Sequence, residues 1–260
     1  MITDTHAHYD DERYDADRAE LMASLASCGV GAVINVGSTW ESLKKVKELG
    51  ESYPMVFTAY GIHPDEVGSL ERPAEETEEK VDFLRSCLRL PKAVAVGEIG
   101  LDYHWMTETK EVQDRWFHAQ LDLAREANLP VIIHSRDAAE DTLRVCKEED
   151  AGAIGGVMHC FSYEKEMARE YLNLGLHLGI GGVVTFKNGR KLKEVVGHAP
   201  LENLLLETDC PYLAPEPHRG KRNVSHYLPL VVKAVAEITK ISEEEVIEVT
   251  TANAKRLFAI

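Results

Sequence analysis

The sequence predicts an α/β fold, a closed (β/α)8 barrel, in one domain spanning residues 1–260. Three observations predict it. Eight short apolar runs alternate with amphipathic ones along the whole chain, the pattern of a parallel sheet covered on both faces. The length of 260 residues suits one such barrel and can bury a large core. Metal-ligand residue types recur at the C-terminal ends of these runs, non-adjacent ones included, and a barrel gathers those ends at one mouth. An open doubly wound sheet offers no such reason for the recurrence, and no Gly-x-Gly-x-x-Gly turn follows the first run.

The expected strands are Ile2–His8, Val30–Gly37, Met55–Ile62, Ala93–Ile99, Pro130–His134, Gly155–His159, Leu176–Val184 and Leu204–Thr208. Helical patterns fill the intervals. Leu21, Met22, Leu25 and Ala26 make an apolar stripe that Gly29 stops. Trp116, Phe117, Gln120, Leu121 and Ala124 recur at helical spacing, and Asn128 with Pro130 ends that helix. Asp137 and Ser162 are expected to cap the helices after the fifth and sixth strands. Ser242 with Glu245 is a capping-box pattern opening a last helix that runs through Leu257. The acidic stretch Glu71–Lys80 reads as a surface loop or a solvated helix start.

Composition narrows the function classes. A hydrophobic content of 44% predicts a globular chain. No apolar run reaches the roughly 20 residues of a membrane span, and no secretory leader pattern is present, so a cytoplasmic location is expected. The five cysteines lack any Cys-x-x-Cys spacing and read as reduced thiols. Cys160 and Cys210 follow ligand candidates directly, and strand alternation would turn them to the opposite face. The net charge of −15 disfavours broad neutralisation of a nucleic-acid backbone but allows an enzyme that grips one phosphate locally. One segment is basic: Lys187, Arg190, Lys191, Lys193, Arg219, Lys221 and Arg222. It follows strands seven and eight, where barrels of this kind often bind phosphate.

The strand ends carry the chemistry. They read His6-Ala7-His8, Gly61-Ile62-His63-Pro64, Gly97-Glu98-Ile99-Gly100-Leu101-Asp102, His134-Ser135-Arg136-Asp137, His159-Cys160-Phe161 and Glu207-Thr208-Asp209-Cys210-Pro211. Alternate strand residues share a face, so His6 and His8 can aim at one point. The convergence of four imidazoles, His63 aside, with two or more carboxylates exceeds the needs of one four-coordinate ion, and a two-metal site bridged by a carboxylate uses them naturally. Glu98 is the best candidate bridge. Asp209 is placed to orient a water and take its proton. His63 and Arg136 are not needed as ligands and can contact a phosphate oxygen or a leaving group, Arg136 bidentately. Glu207 shares its strand face with Asp209 and can orient a ligand. Arg219 and Arg222 are candidate substrate contacts. His104, His118, His177, His198, His218 and His226 read as packing or surface residues.

Taken together, these motifs resemble the TatD-type metal-dependent deoxyribonucleases of the amidohydrolase superfamily. The match includes Asp4-Thr5-His6-Ala7-His8 at the start and Arg219-Gly220-Lys221-Arg222-Asn223 near the end, in the family's order, and covers essentially the whole chain. The resemblance implies a (β/α)8 barrel with two divalent metal ions, one held by His6, His8, Glu98 and Asp209 and the other by Glu98, His134 and His159. It implies hydrolysis of ester bonds, most often as a 3′-to-5′ exonuclease on DNA. Some relatives are linked instead to removing D-amino acids from mischarged tRNA, and a non-catalytic metal-binding barrel is a third reading. Nucleic acid, DNA or possibly tRNA, is thus the expected partner, with no membrane, no obligate protein partner, and a monomeric chain. Imidazole-rich ligands favour zinc, manganese, cobalt or nickel by softness, whereas the family is commonly described with magnesium. One departure stands out: after Arg-Asn the family commonly continues Glu-Pro, and this chain has Val224-Ser225. That loss of a carboxylate and a rigid turn is expected near the mouth. Trp105-Met106 is a second place where specificity can differ.

Overall fold

A computed structural model describes residues 1–260. Its strands are β1 (Ile2–Ala7), β2 (Val30–Val36), β3 (Val56–Tyr60), β4 (Ala93–Asp102), β5 (Val131–Arg136), β6 (Gly156–Met158), β7 (His177–Ile180) and β8 (Leu204–Leu206). They pair in chain order, every pairing parallel. The ladder closes just beyond β8. Ala7 bridges Cys210, the Asp209 N–H donates to the His6 carbonyl at 2.9 Å, and the His8 N–H donates to the Cys210 carbonyl at 2.8 Å. The Thr5 hydroxyl adds a bond to the Leu206 carbonyl at 3.1 Å. The seam that closes the barrel is therefore also what sets Asp209 against His6 and His8.

The helices are α1 (Arg18–Ser24), α2 (Ser42–Ser52), α3 (Thr77–Cys87), α4 (Lys110–Ala127), α5 (Ala139–Glu148), α6 (Ala151–Ile154), α7 (Lys165–Asn173), α8 (Arg190–Val196), α9 (Leu228–Thr239) and α10 (Glu243–Phe258). None is long and apolar enough to cross a membrane. A cluster of 55 buried apolar side chains fills the layer between helices and strands. A second, of 10, occupies the barrel interior: Ile34, Val36, Ala59, Val94, Ala95, Ile132, Val157 and Leu205, with Ala254 and Phe258 of α10 closing the floor. Two residues beyond Ile132, Val157 and Leu205 stand His134, His159 and Glu207. The period of two thus carries each strand from an apolar floor to a polar mouth.

Several local expectations hold. Gly29 at φ 82° and Asn128 at φ 53° end their helical segments in the left-handed region, and the Ser242 hydroxyl accepts from the Glu245 N–H. Trp116, Phe117, Gln120, Leu121 and Ala124 are all buried on α4. Others differ. Asp137 and Ser162 do not cap: Asp137 turns at φ 52°, Ala138 precedes α5, and Glu164 precedes α7. β7 stops at Ile180, because the chain turns into a 3-10 segment over Gly182–Thr185, while β4 continues to Asp102. Glu71–Lys80 is the solvated helix start expected, with seven of its ten residues exposed, but its two ends are tied down. Lys80 is buried, its ammonium donating to the Ser69 and Arg72 carbonyls, and Glu71 accepts from Arg115 and Trp116.

Candidate metal centre

His6 and His8 leave β1 on one face, and their Nε2 atoms lie 3.0 Å apart. The His8 Nδ1–H donates to the Val36 carbonyl at 2.9 Å, which leaves Nε2 to face the centre. Glu98 Oε2 stands 3.4 Å from His6 Nε2 and 3.7 Å from His8 Nε2. Asp209 Oδ1 is 3.5 Å from His8 Nε2 and 4.0 Å from His6 Nε2. The other Glu98 oxygen, Oε1, faces a different pair: His134 Nδ1 at 2.9 Å and His159 Nε2 at 3.6 Å. One buried carboxylate therefore addresses two separate sets of nitrogens, one with each oxygen.

The surrounding groups aim these side chains. His159 Nδ1 lies 3.1 Å from Glu207 Oε1, a close charge contact rather than an aligned hydrogen bond. That same Glu207 oxygen accepts from the Cys160 N–H at 2.6 Å. Gly179 on β7 makes room for this carboxylate, since a Cβ there would sit 2.3 Å from Glu207 Oε2. His134 donates through Nε2 to Asp102 Oδ2 at 2.9 Å, and Asp102 Oδ1 accepts from the His104 N–H at 2.8 Å. Its ring is 6.4 Å from that of His159, so the two meet through Glu98. His63 packs edge-on against His134 with ring centroids 4.3 Å apart, and its Nδ1 accepts from the Asp65 N–H at 3.1 Å. A neutral imidazole that accepts at Nδ1 carries its proton on Nε2. His63 is therefore a hydrogen-bond donor, not a lone-pair ligand, and this removes it from the grouping it forms with Asp102 and His134.

Charge follows from this arrangement. Burial alone would raise the pKa values of Glu98 and Asp209, yet the surrounding imidazoles hold both below the usual carboxylate range. Burial pushes His6 down to about 4 and His63 down to about 3, so both are neutral. Burial opposes charge on His8 and His134 as well, but Asp209 and Glu98 outweigh it for His8, raised to about 10, and Asp102 and Glu98 for His134, raised to about 9. The 3.0 Å between the two Nε2 atoms has room for one shared proton. The donor set fits divalent cations: imidazole nitrogens and carboxylate oxygens gather in overlapping three-residue groups, His6, His8 and Asp209 in one and His6, Glu98 and His159 in another, with His6 in both. The buried His6 Nδ1 has no partner within the protein.

A family model described as TatD related DNase matches residues 3–259. The chain belongs to the TatD family. It is a metal-dependent hydrolase of that family. It is 43% identical over 260 residues to the uncharacterized metal-dependent hydrolase YabD of Bacillus subtilis, spanning 100% of each. It is 31% identical to a protein of Rahnella named 3′-5′ ssDNA/RNA exonuclease TatD, over 95% of this chain and 94% of that one. Among solved structures, the TatD homolog YJJV of Escherichia coli K12 superposes with a TM-score of 0.88 at 30% identity, over 100% of this chain and 98% of that one.

Not every residue picked out in this TatD-family sequence reaches the centre. Arg136 is exposed at the mouth and has no carboxylate partner, nor does Arg219, whose guanidinium lies 4.4 Å from the Phe186 ring centroid. Arg222 is tied elsewhere: it forks onto Asp17, donates to the Arg13 carbonyl and stacks on Tyr14. Of the basic segment, Lys191 pairs with Glu164 and Lys193 bonds the Phe186 carbonyl. Lys187, Arg190 and Lys221 form no ion pair. Val224-Ser225 does not face the mouth. Val224 joins the core, and the buried Ser225 hydroxyl donates to Asp4 Oδ2 at 2.6 Å. Cys160 is also not on a strand's far side: it turns at φ 45° and its thiol lies with His159 and Glu207.

Two residues went unassigned in the sequence reading. Asp102 holds His134 and the turn after β4. Asp4 is fully buried, accepting from Thr208 N–H, Thr208 hydroxyl and Ser225 hydroxyl, and burial raises its pKa to about 7. Simple alternation would put Asp4 on the face of His6 and His8, but a register shift between Asp4 and Ala7 turns it behind β1, so the sequence carried no signal for its role.

Proposed function

We propose that this chain hydrolyses phosphodiester bonds of nucleic-acid strands, releasing nucleotides from 3′ ends, with two divalent cations at the barrel mouth. The observation that carries the reading is Glu98, whose Oε2 faces His6 and His8 while Oε1 faces His134 and His159. In this reading His6, His8, Glu98 and Asp209 hold one cation, and Glu98, His134 and His159 hold the other. Bound there, the cations lower the pKa of water toward neutrality and offset charge on the attacking and leaving oxygens. The imidazole count favours zinc, manganese, cobalt or nickel over magnesium.

The protein's own groups then divide the work. Asp209 stays ionised among His8, His159 and His6, and with its side chain 16% exposed it can take a proton from a water at the mouth. The Nε2–H of His63 offers a neutral donor to a non-bridging or leaving oxygen. Arg136, free of carboxylates, can fork onto a phosphate, with Arg219 as a further cation for the strand. Glu207 and Asp102 keep His159 and His134 turned toward Glu98. The phosphodiester assignment is supported by the named exonuclease relative and by these unpaired cations on a chain of net charge −15.

The test is a hydrolysis panel on metal-reconstituted protein: single-stranded DNA, RNA, D-aminoacyl-tRNA and a simple phosphodiester, with Asp209→Asn as control. Release of mononucleotides from strand ends, abolished by chelation, is expected. Deacylation of D-aminoacyl-tRNA without nucleotide release overturns the phosphodiester reading and keeps the metal centre. Full cation binding with no turnover on any ester overturns both.

A further inference from the structure

We propose that Trp105 and Tyr212 are seats for unpaired bases on either side of the scissile phosphate, so that this chain reads its strand by stacking rather than by sequence. The proposal rests on the nucleic-acid reading above and names the residues that would give it a preference for unpaired substrate.

The chain leaves six large apolar side chains exposed, and four of them lie in two loops at the mouth: Trp105 and Met106 after β4, Tyr212 and Leu213 after β8. Trp105 is 64% exposed and Tyr212 48%. Scattered surface apolar residues are ordinary, but paired aromatics at the rim of an active centre are not scattered. Each ring is matched with an arginine. The Arg136 guanidinium carbon lies 5.6 Å from the Trp105 ring centroid, and that of Arg13 lies 4.4 Å from the Tyr212 centroid. One face of each ring is thus partnered by a cation while much of the ring stays open to solvent.

Their placement relative to Glu98 is what makes them seats. The Tyr212 ring stands edge-on to His8, centroids 6.4 Å apart, on the Oε2 side. Trp105 stands on the Oε1 side through Asp102. Asp102 Oδ1 accepts from the Trp105 N–H at 3.3 Å, while its Oδ2 takes the His134 Nε2–H at 2.9 Å. A strand whose phosphate sits over Glu98 and Asp209 would place its flanking bases toward these two rings. Every base has a π-face to offer an aromatic ring, and Arg136, free of carboxylates, can answer an adjacent phosphate, while Arg13 is forked onto Asp11 and serves to hold the Tyr212 ring. Bases within a duplex have their faces covered by their own stack. Arg136, which has no carboxylate partner, stands beside one ring at the rim of the centre, so a nucleobase with its adjoining phosphate is the occupant the charges favour.

Two measurements test this. The first uses cation-free protein, which binds without turnover. A short unpaired thymidine oligonucleotide is expected to quench tryptophan fluorescence in the wild type and not in Trp105→Phe, because the other tryptophans, Trp40 and Trp116, are partly or fully buried. The second compares kcat/KM on a base-bearing strand and an abasic strand of equal length. The wild type is expected to prefer the base-bearing strand by roughly 5- to 100-fold, the range of one or two stacking contacts. Trp105→Ala should collapse that ratio, Trp105→Phe should keep most of it, and Tyr212→Ala should lower it less. Hydrolysis of both strands without preference, an undiminished ratio in Trp105→Ala, or quenching that survives in Trp105→Phe overturns the seats alone. Wild-type hydrolysis of a non-nucleic ester but of neither strand overturns the nucleic-acid reading and this proposal with it. A wild type that elutes as a dimer beside a monomeric Trp105→Ala assigns the patch to self-association and also overturns it.

Discussion

The two sides of Glu98 are built differently. On the Oε2 side, His6 is fully buried, His8 is pinned to the Val36 carbonyl, and Asp209 is set by the barrel seam. Behind it, Asp4 ties β1 to Thr208 and Ser225. On the Oε1 side, His134 and His63 have side chains 17% and 16% exposed, and the exposed, unpaired Arg136 and Trp105 lie just beyond. The first side is assembled from closure contacts of the fold and is suited to holding an ion. The second is assembled from strand ends and is graded, from the buried His159 beside Glu98 to His134, His63 and Arg136 at the solvent, so it is suited to holding an ion within and meeting a strand at its rim. Glu98 gives one oxygen to each side, and His159 reaches across as well, stacking on His6 with centroids 3.5 Å apart and standing 3.7 Å from Asp209 Oδ1.

The largest expected effect falls on Asp209, whose Oδ1 faces His6 and His8 on one side and His159 on the other. Asp209→Asn should lower kcat by about 10²- to 10⁴-fold, the range for losing a positioned proton acceptor, and elemental analysis of the purified variant separates lost chemistry from lost cation. Next, Glu207→Gln and Asp102→Asn each remove the carboxylate that turns a histidine toward Glu98, and each should cost about 10- to 100-fold in cation affinity or activity. If the comparison is right, Asp102→Asn also raises KM, because it loosens the Trp105 loop, whereas Glu207→Gln acts on kcat and cation content alone.

A third contrast sets Arg136→Ala against Arg222→Ala. The first should raise KM for a strand several-fold with an unchanged melting curve. The second should leave KM alone and lower stability by about 1 kcal/mol or less, as for a half-exposed ion pair. Equal KM effects would return Arg222 to the substrate path. Ser225→Ala should cost about 1–3 kcal/mol, since it removes a partner from a buried carboxyl group, measured by denaturant unfolding of the cation-free protein.

The smallest effect concerns protons. His8 at about 10 and His134 at about 9 both carry a proton at neutral pH in the cation-free protein. Their folded pKa values lie above the unfolded value, so the stability they contribute is present in full below about pH 6.5 and is lost as pH rises through 9 to 10. A cation that takes their place must displace those protons. Calorimetric titration in two buffers of different ionisation heat should show proton release approaching two per chain and affinity rising from pH 6 to 9. Loading without proton release would mean that the cations sit elsewhere.

The sequence by itself determined the barrel and most of the residues at its mouth. Alternation of apolar and amphipathic runs depends only on local burial, and His6, His8, Glu98, His134, His159 and Asp209 are all visible because each follows an apolar run. What only the tertiary structure decided is which of these face each other and which cations are already spoken for. Arg222 and Arg219 are equivalent as letters, but Asp17, two hundred residues away along the chain, holds one of them. Val224-Ser225 reads as a loss at the mouth until Asp4 is seen to accept from Ser225 behind β1. The physical reason is the same each time: burial pattern is a property of a segment, whereas a hydrogen-bond partner is a property of the closed barrel, set where β8 returns to β1.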